Sequence, residues 1–477
     1  MTIIGPSPCT SAGVRTPPKG YIEILNFSIF NFQLIMNYTP HTKQDEAAML
    51  QALELKSVQE LMDAQIPEEL RLKGGLPLPK GKSEMEVERQ MRGIAAQNVK
   101  FEHIYRGAGA YYHYIPATVR HIATNTSLIS AYTPYQPEIS QGILQATFEY
   151  QTMMCMLTGL DASNASVYDG ATAAAEACKL ALDKKRRQIL VSGAIKPENK
   201  KVIETYLYQM NVDLQYIPVK DGKTDIEALK TMLNEQTAGV YVEQLNYYGI
   251  IEDMKAIGDL TAPLKALFIA GVNPIAAAIL PSAAECGADI AVGEAQPLGL
   301  SLSFGGPYLG FMTAKMEHIR KLPGRIIGET VDKNGKRCFV LTLQAREQHI
   351  KREKASSSIC SNQANCAILA SVYLATVGAE GLKQVATQCC SKAHYLASEL
   401  SKLKGWSIKY GADFFMEFVT ESENPKGLLD FLQTKGILGG LQLSDTEILW
   451  CVTEMASKDD LDTLVGLIQE FGKGGMK

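Results

Sequence analysis

The chain has 477 residues, 46% of them apolar and 21% charged, and its 47 basic against 51 acidic residues leave a net charge of −4. This is ordinary globular usage with enough apolar mass for a large core, and it excludes a disordered, collagen-like or small disulfide-built chain. The near balance of charge gives no general electrostatic reason to bind nucleic acid or an anionic membrane.

Residues 1–35 differ from the rest of the chain. Positions 5–20 are rich in Pro and Gly, and YIEILNFSIFNFQLI then mixes apolar residues with Glu23, Asn26, Asn31 and Gln33. A secretory signal needs an unbroken apolar core, so this stretch is read as an upstream or non-native extension, with Met36 as the natural start. The sequence has no unbroken apolar run long enough to span a bilayer, so no membrane segment is expected and the cytoplasm is the expected location. Ten cysteines include no C-x-x-C, and most lie in apolar text such as MMCML and AAECGAD, which points to reduced thiols. The seven histidines miss H-E-x-x-H and paired Cys/His spacing, so no metal site is expected.

Residues 36–120 are assigned to an N-terminal helical segment. Met49, Leu50, Leu53, Val58, Leu61 and Met62 keep helical spacing, GGLPLPKGK (74–82) is a break, and Ser83 with Glu86 forms a helix-start signature. Residues 121–355 are assigned to a large α/β domain. Its apolar runs QILVSG, VDLQYIPV, AGVYVEQ, KALFIAG and DIAVGE begin about 25 residues apart from 188 onward, separated by helical patterns such as DIEALKTMLN. That rhythm predicts βαβ units and a largely parallel sheet, with a further strand at YLGFMTAK (308–315). Residues 356–477 are assigned to a smaller α+β domain. It opens with helical runs at 362–378 and 388–403 and continues through GWSIKYG, FFMEFVT and EILWCVTEM.

Among candidate sites, the Walker pattern is absent and Gly107-Ala-Gly109 does not complete G-x-G-x-x-G. The basic run Lys184–Arg187 is expected to end the helix begun by ATAAAEACKLAL, where cations complement the helix dipole. YDGATAAAEA (168–177) places Gly170 and Thr172 at a helix start. Such a turn can cradle a phosphate or simply pack closely on a sheet, and the sequence leaves both open. In AYTPYQPEISQG (131–142), two X-Pro steps stiffen a loop dense in polar and aromatic groups: Tyr132, Thr133, Tyr135, Gln136, Glu138, Ser140 and Gln141. Just before it, RGAGAYYHYIPATV (106–119) adds Tyr111 and His113. Rigid aromatic loops suit binding sites, and an aromatic plug between domains is the other reading.

These segments, with FEYQTMMCMLTGLDASNAS (148–166) and LSFGGPYLGF (302–311), resemble the P protein of the glycine cleavage system over residues 36–477. The resemblance implies a pyridoxal-phosphate (PLP)-dependent transferase-like fold, aspartate aminotransferase fold type I, and an enzyme that decarboxylates glycine and passes the aminomethyl unit to the lipoyl arm of the H protein. That chemistry needs a Schiff-base lysine and usually an acid facing the pyridinium. Here KALFIAG ends on Ala270-Gly271 with no acid, and Gln296 stands near the usual lysine position; Lys315, past the next turn, is the one nearby candidate. Both absences resemble subunit 1 of the two-subunit form. The resemblance therefore implies no catalytic residue in this chain, a vestigial phosphate turn at Gly170 and Thr172, PLP held covalently by subunit 2, and an α2β2 assembly. A scaffold or regulatory module of the same fold is the alternative. On the first reading Tyr111, His113 and the 132–141 residues belong to active-site or interface loops.

Overall fold

A computed structural model describes residues 41–474 apart from 412. The proposed extension 1–35 and Met36 lie outside the described residues. The chain divides into two compact units, at Asn98 and Val99.

The first unit holds α1 (Lys43–Ala52), α2 (Val58–Gln65) and α3 (Glu84–Ala95). Thr42 and Ser83 each close a capping box, with Asp45 and Glu86 returning the bond to the cap backbone. The Ser83 signature thus works as the sequence predicts, satisfying amides that a first turn leaves free.

The second unit begins earlier than the helical reading of 36–120 expects. Residues 99–116 are strand and loop, not helix. β1 (His103–Ile104) is followed by an extended run to α4 (Ala117–Ala123). Its Gly-Ala-Gly text and paired tyrosines have low helical preference and hydrogen-bond elsewhere. The central sheet is built from β2 (Ala162–Ser163), β3 (Gln188–Ser192), β4 (Asp213–Ile217), β5 (Thr237–Glu243), β6 (Leu267–Gly271), β7 (Ile290–Glu294) and β8 (Gly310–Ala314). Its strand order is β2-β8-β7-β6-β5-β3-β4. The five strands from β7 to β4 are mutually parallel, and β8 runs antiparallel to β7 and β2.

Both faces of this sheet are buried, so its strands read as continuous apolar runs. Ile189, Val191, Ile269 and Val292 point into one core, while Leu190, Val240, Val242, Phe268 and Ala270 point into the other. The first core is shared with α6 (Gly170–Ala181) and α7 (Pro197–Leu207). Ala173, Ala174, Ala175 and Ala177 of α6 are fully buried, and their small side chains let the helix lie close on the strands. α6 ends at Ala181, so Lys184–Arg187 lie in the turn beyond it and not in its last turn. The other face carries α5 (Gln141–Thr158) and α9 (Met254–Thr261); α8 (Ile226–Met232) follows β4.

A hairpin of β9 (Ile327–Val331) and β10 (Arg337–Leu341) precedes α10 (Ala364–Ser401). The two helical runs expected at 362–378 and 388–403 meet in α10, which is broken at Gly378, where φ is 63°. By length and composition α10 is, among the described residues, the one helix that could cross a membrane. Its inward residues Ala367, Ala370, Tyr373, Ala386 and Cys389 are buried in the core. Finally β11 (Ser407–Ile408), β12 (Glu417–Glu421), β14 (Leu441–Gln442) and β15 (Glu447–Cys451) form an antiparallel sheet, joined by α11 (Pro425–Thr434), β13 (Ile437–Leu438) and α12 (Lys458–Gly474). β1 pairs parallel with β13, so the start and end of this unit are stitched together.

Overpacking tests the close seat of α6. Ala174→Leu should lower stability by about 1–3 kcal/mol, measured as an earlier urea midpoint; an unchanged midpoint would show that α6 can withdraw from the sheet.

Candidate functional site

In open α/β sheets, ligands bind outside the carboxyl ends of the strands. Here β3, β5, β6 and β7 end around a cleft of about 370 Å³, with the N-terminus of α6 and the 107–111 loop on its walls. Several of the polar groups around it are engaged within the protein.

Glu294, the last residue of β7, holds three backbone amides. Its Oε2 accepts from Gly170 N at 3.0 Å, and its Oε1 accepts from Gln296 N and Leu309 N, each at 2.9 Å. The Asp169 carboxylate accepts from Thr172 N at 2.7 Å. Position 170 must be glycine for this seat, because a Cβ there would lie 2.9 Å from Glu294 N. The turn at Gly170–Thr172 is therefore an anion cradle, and the anions in it are the protein's own. Burial pushes the Glu294 carboxyl above its ordinary range, against the pull of the three amides.

Gln296 is 1% exposed and binds backbone with all its polar atoms. Tyr111 N donates to its Oε1 at 2.8 Å, while its Nε2 donates to Tyr111 O at 2.9 Å and Leu300 O at 2.7 Å. The amide thus pins the 107–114 loop over the cleft. Beneath that loop, buried Glu417 accepts from Ala108 N at 2.6 Å and the Tyr111 hydroxyl at 2.8 Å. Buried Glu243, at the end of β5, accepts from Asn199 Nδ2 at 2.5 Å and Lys196 N at 3.3 Å. Burial raises the pKa of both carboxyls, and the neighbouring Lys196 opposes that rise.

These residues do not fit covalently held PLP. The Gly170 and Thr172 amides at the start of α6 are held by carboxylates of the chain, β6 ends on Gly271 with no acid, and the amide of Gln296 is fully committed. Lys315 is at the far end of the sheet, since β8 runs antiparallel to β7; its Nζ pairs with Asp289 at 2.5 Å. The lysine on the cleft wall is Lys196, whose ammonium faces the Tyr111 ring at 5.8 Å.

The two aromatic loops part company within this chain. Tyr111 and His113 are buried between the cleft and the C-terminal sheet, with His113 Nδ1 2.7 Å from Glu454. The 131–142 loop borders a second, mainly apolar cavity of about 510 Å³. There Thr133 bonds Ser361, and the Tyr135 hydroxyl accepts from Arg325 at 2.6 Å. Arg325 is itself buried in an ion pair with Glu347. Gln141 anchors the loop by exchanging hydrogen bonds with the Phe339 backbone at 2.9 Å. Ser140 is buried at the start of α5, whereas Tyr132, Gln136 and Glu138 face solvent and Tyr132 is 82% exposed.

The sequence reading missed Glu243, Glu294, Glu417 and Lys196. Glu294 had one available signal, an acid on the last position of an otherwise apolar strand; Glu417 comes from the other end of the unit and had none.

Fold and site together define a PLP-dependent-transferase architecture of fold type I whose cleft is lined by Glu243, Glu294 and Lys196 of this chain. The chain belongs to the glycine cleavage system P-protein family, whose model matches residues 36–468. It is 46% identical over 446 residues to a probable glycine dehydrogenase (decarboxylating) subunit 1 of Desulfitobacterium hafniense, covering 91% of this chain and 100% of the relative. A protein of the same description from Listeria monocytogenes is 44% identical, covering 91% and 98%. Among solved structures, an inhibitor-bound glycine decarboxylase (P-protein) of the glycine cleavage system matches with a TM-score of 0.85 and 38% identity, over 91% of this chain and 100% of that one. Mouse CSAD in apo form shares the fold alone, with a TM-score of 0.63 and 15% identity over 87% and 92% of the two chains.

Gln296→Leu strands buried backbone groups of Tyr111 and Leu300 and should cost about 2–4 kcal/mol in chemical denaturation; a neutral effect would free the loop from Gln296. The raised Glu294 carboxyl sets a pH dependence. The native state holds this proton more tightly, so its stabilisation is full below the ordinary value of 4.5 and is lost as pH rises through the folded value. The thermal-midpoint advantage of the parent chain over Glu294→Gln should accordingly narrow as pH rises from 4.5 towards neutrality. A widening gap would contradict it.

Proposed function

We propose that this chain is subunit 1 of a two-subunit glycine dehydrogenase (decarboxylating), the subunit that holds no PLP-lysine of its own. The observation that carries this reading is the Glu294 carboxylate seated in the amide cradle at the start of α6. A chain whose helix-start amides are held by its own carboxylates contributes shape and loops to a reaction whose lysine and PLP come from a partner, subunit 2. The 43–46% identity to several relatives described as subunit 1 supports the same reading.

Within that enzyme the chain's residues act by positioning. Arg325 fixes the Tyr135 hydroxyl, Gln141 ties the loop to β10, and Tyr132, Gln136 and Glu138 are left facing outward. This stiff, exposed set is the surface offered to subunit 2, to glycine and to the lipoyl arm of the H protein, in an α2β2 enzyme of the cytoplasm. Gln296 supports the second loop, the one bearing Tyr111 and His113, from below.

Glycine decarboxylation by this chain co-expressed with subunit 2, in the presence of lipoylated H protein, tests the proposal. Activity should need both chains. Tyr135→Ala or Glu138→Ala should lower it by roughly tenfold, about 1.4 kcal/mol of transition-state stabilisation, and the exposed Glu138 variant should keep its folding stability within about 0.5 kcal/mol. Full activity from subunit 2 alone would overturn the assignment. Unchanged activity of both variants in the assembled enzyme would remove this loop from the site.

A further inference from the structure

Behind the 107–114 loop, away from the cleft, three side chains from distant parts of the sequence converge. His113 comes from the loop before α4, Cys389 from α10 beyond its break at Gly378, and Glu454 from the turn after β15. One ligand atom from each lies within 4.8 Å of the others. The imidazole side chain is 2% exposed, the carboxylate 11%, and Cys389 is fully buried. We propose that His113, Cys389 and Glu454 form a binding site for one divalent transition-metal ion of borderline softness, such as Zn²⁺.

The hydrogen-bonding pattern carries the inference. Glu454 Oε2 is met by His113 Nδ1 at 2.7 Å and by the Cys389 thiol at 3.3 Å. Two polar hydrogens thus converge on one buried carboxylate oxygen, an arrangement that a single dication can replace. A neutral imidazole, a thiolate and a carboxylate sum to −2, so a bound dication offsets the charge of its three ligands. Binding forms three metal–ligand bonds, releases the Cys389 thiol proton to solvent and shifts the imidazole proton from Nδ1 to Nε2, with no change of oxidation state. Tetrahedral donors about 2.0–2.3 Å from an ion lie roughly 3.3–3.8 Å apart, so the His113–Glu454 contact has to open by under about 1 Å. Imidazole, thiolate and carboxylate are a ligand mixture suited to Zn²⁺ or Co²⁺ and not to Mg²⁺ or Ca²⁺.

The surroundings hold the ligands in place. Tyr114 N donates to Glu454 Oε1 at 2.7 Å, and the Lys392 ammonium donates to the Glu454 carbonyl at 2.6 Å. His113 Nε2, the ring nitrogen facing away from the cluster's Glu454 contact, is buried without a hydrogen-bond partner in the protein. Three protein ligands leave one position of a tetrahedron for water. A metal here would tie the 107–114 loop to the C-terminal sheet. The spacing of the histidines in the sequence gives no hint of it, because positions 113, 389 and 454 meet only in the fold.

Titration of the purified full-length chain with Co²⁺ tests the site. One equivalent should bind and give a sulfur-to-cobalt charge-transfer band, and Zn²⁺ should abolish the band by displacement. Cys389→Ser should remove the band and weaken binding at least tenfold, while Cys155→Ser, a half-buried thiol elsewhere on α5, should leave both unchanged. Absence of Co²⁺ binding, or a band that survives Cys389→Ser, would overturn the proposal. Should Cys389→Ser fail to fold, the parent chain still decides, because Co²⁺ bound without a sulfur band excludes Cys389 as a ligand.

Discussion

The site is organised by one carboxylate. Glu294 ends a central strand and takes amide hydrogens from the start of α6, from the turn that carries Gln296, and from the approach to β8. Helix starts leave amides unpaired, and a buried unpaired amide costs free energy comparable to a lost hydrogen bond. In a site that binds a phosphate, the ligand meets that requirement. Here the chain meets it internally, and the same contacts fix three segments in register. The architecture of a cofactor enzyme is kept, and amides at this helix start are held by the chain's own carboxylates.

Gln296 extends the same logic. A lysine beside the cleft would have to remain free to react, whereas this amide is consumed by Tyr111 and Leu300. Tyr111 in turn meets Glu417, and the loop behind it meets Glu454. A polar network therefore runs from the central sheet through the 107–114 loop into the C-terminal sheet. Networks of this kind rigidify when fully satisfied, which suits the proposed role of presenting surfaces to a partner. The 131–142 loop has its own buried support in Arg325 and Gln141, independent of the cleft.

Much of the fold was legible because its strands bury both faces. The alternation of Leu190 with Ile189 and Val191, or of Phe268 and Ala270 with Ile269, fills two cores and leaves unmistakable apolar runs. Ser83 with Glu86 was legible because a capping box is local. The helical assignment failed at 99–105, while the loop reading of 106–116 agrees with the structure; this stretch bonds Leu438, Cys451 and Glu417, over 300 residues away, which no local pattern shows. The absence of a lysine at 296 could be read from the strand rhythm and the family resemblance. The polar lining of the cleft could not: a terminal Glu on a strand looks the same whether it faces solvent or three amides, and Glu243, Glu417 and Lys196 converge only through tertiary packing.

The central claim is that this chain keeps the architecture of a PLP enzyme without holding PLP covalently. Borohydride reduction after adding PLP, followed by peptide mapping, tests it directly on the chain alone and on its complex with subunit 2. The chain alone should show no aldimine absorbance, and neither sample should yield a modified lysine in this chain; the reduced adduct should lie on the partner. A stoichiometric PLP-lysine adduct on this chain, at Lys196, Lys315 or elsewhere, would contradict it.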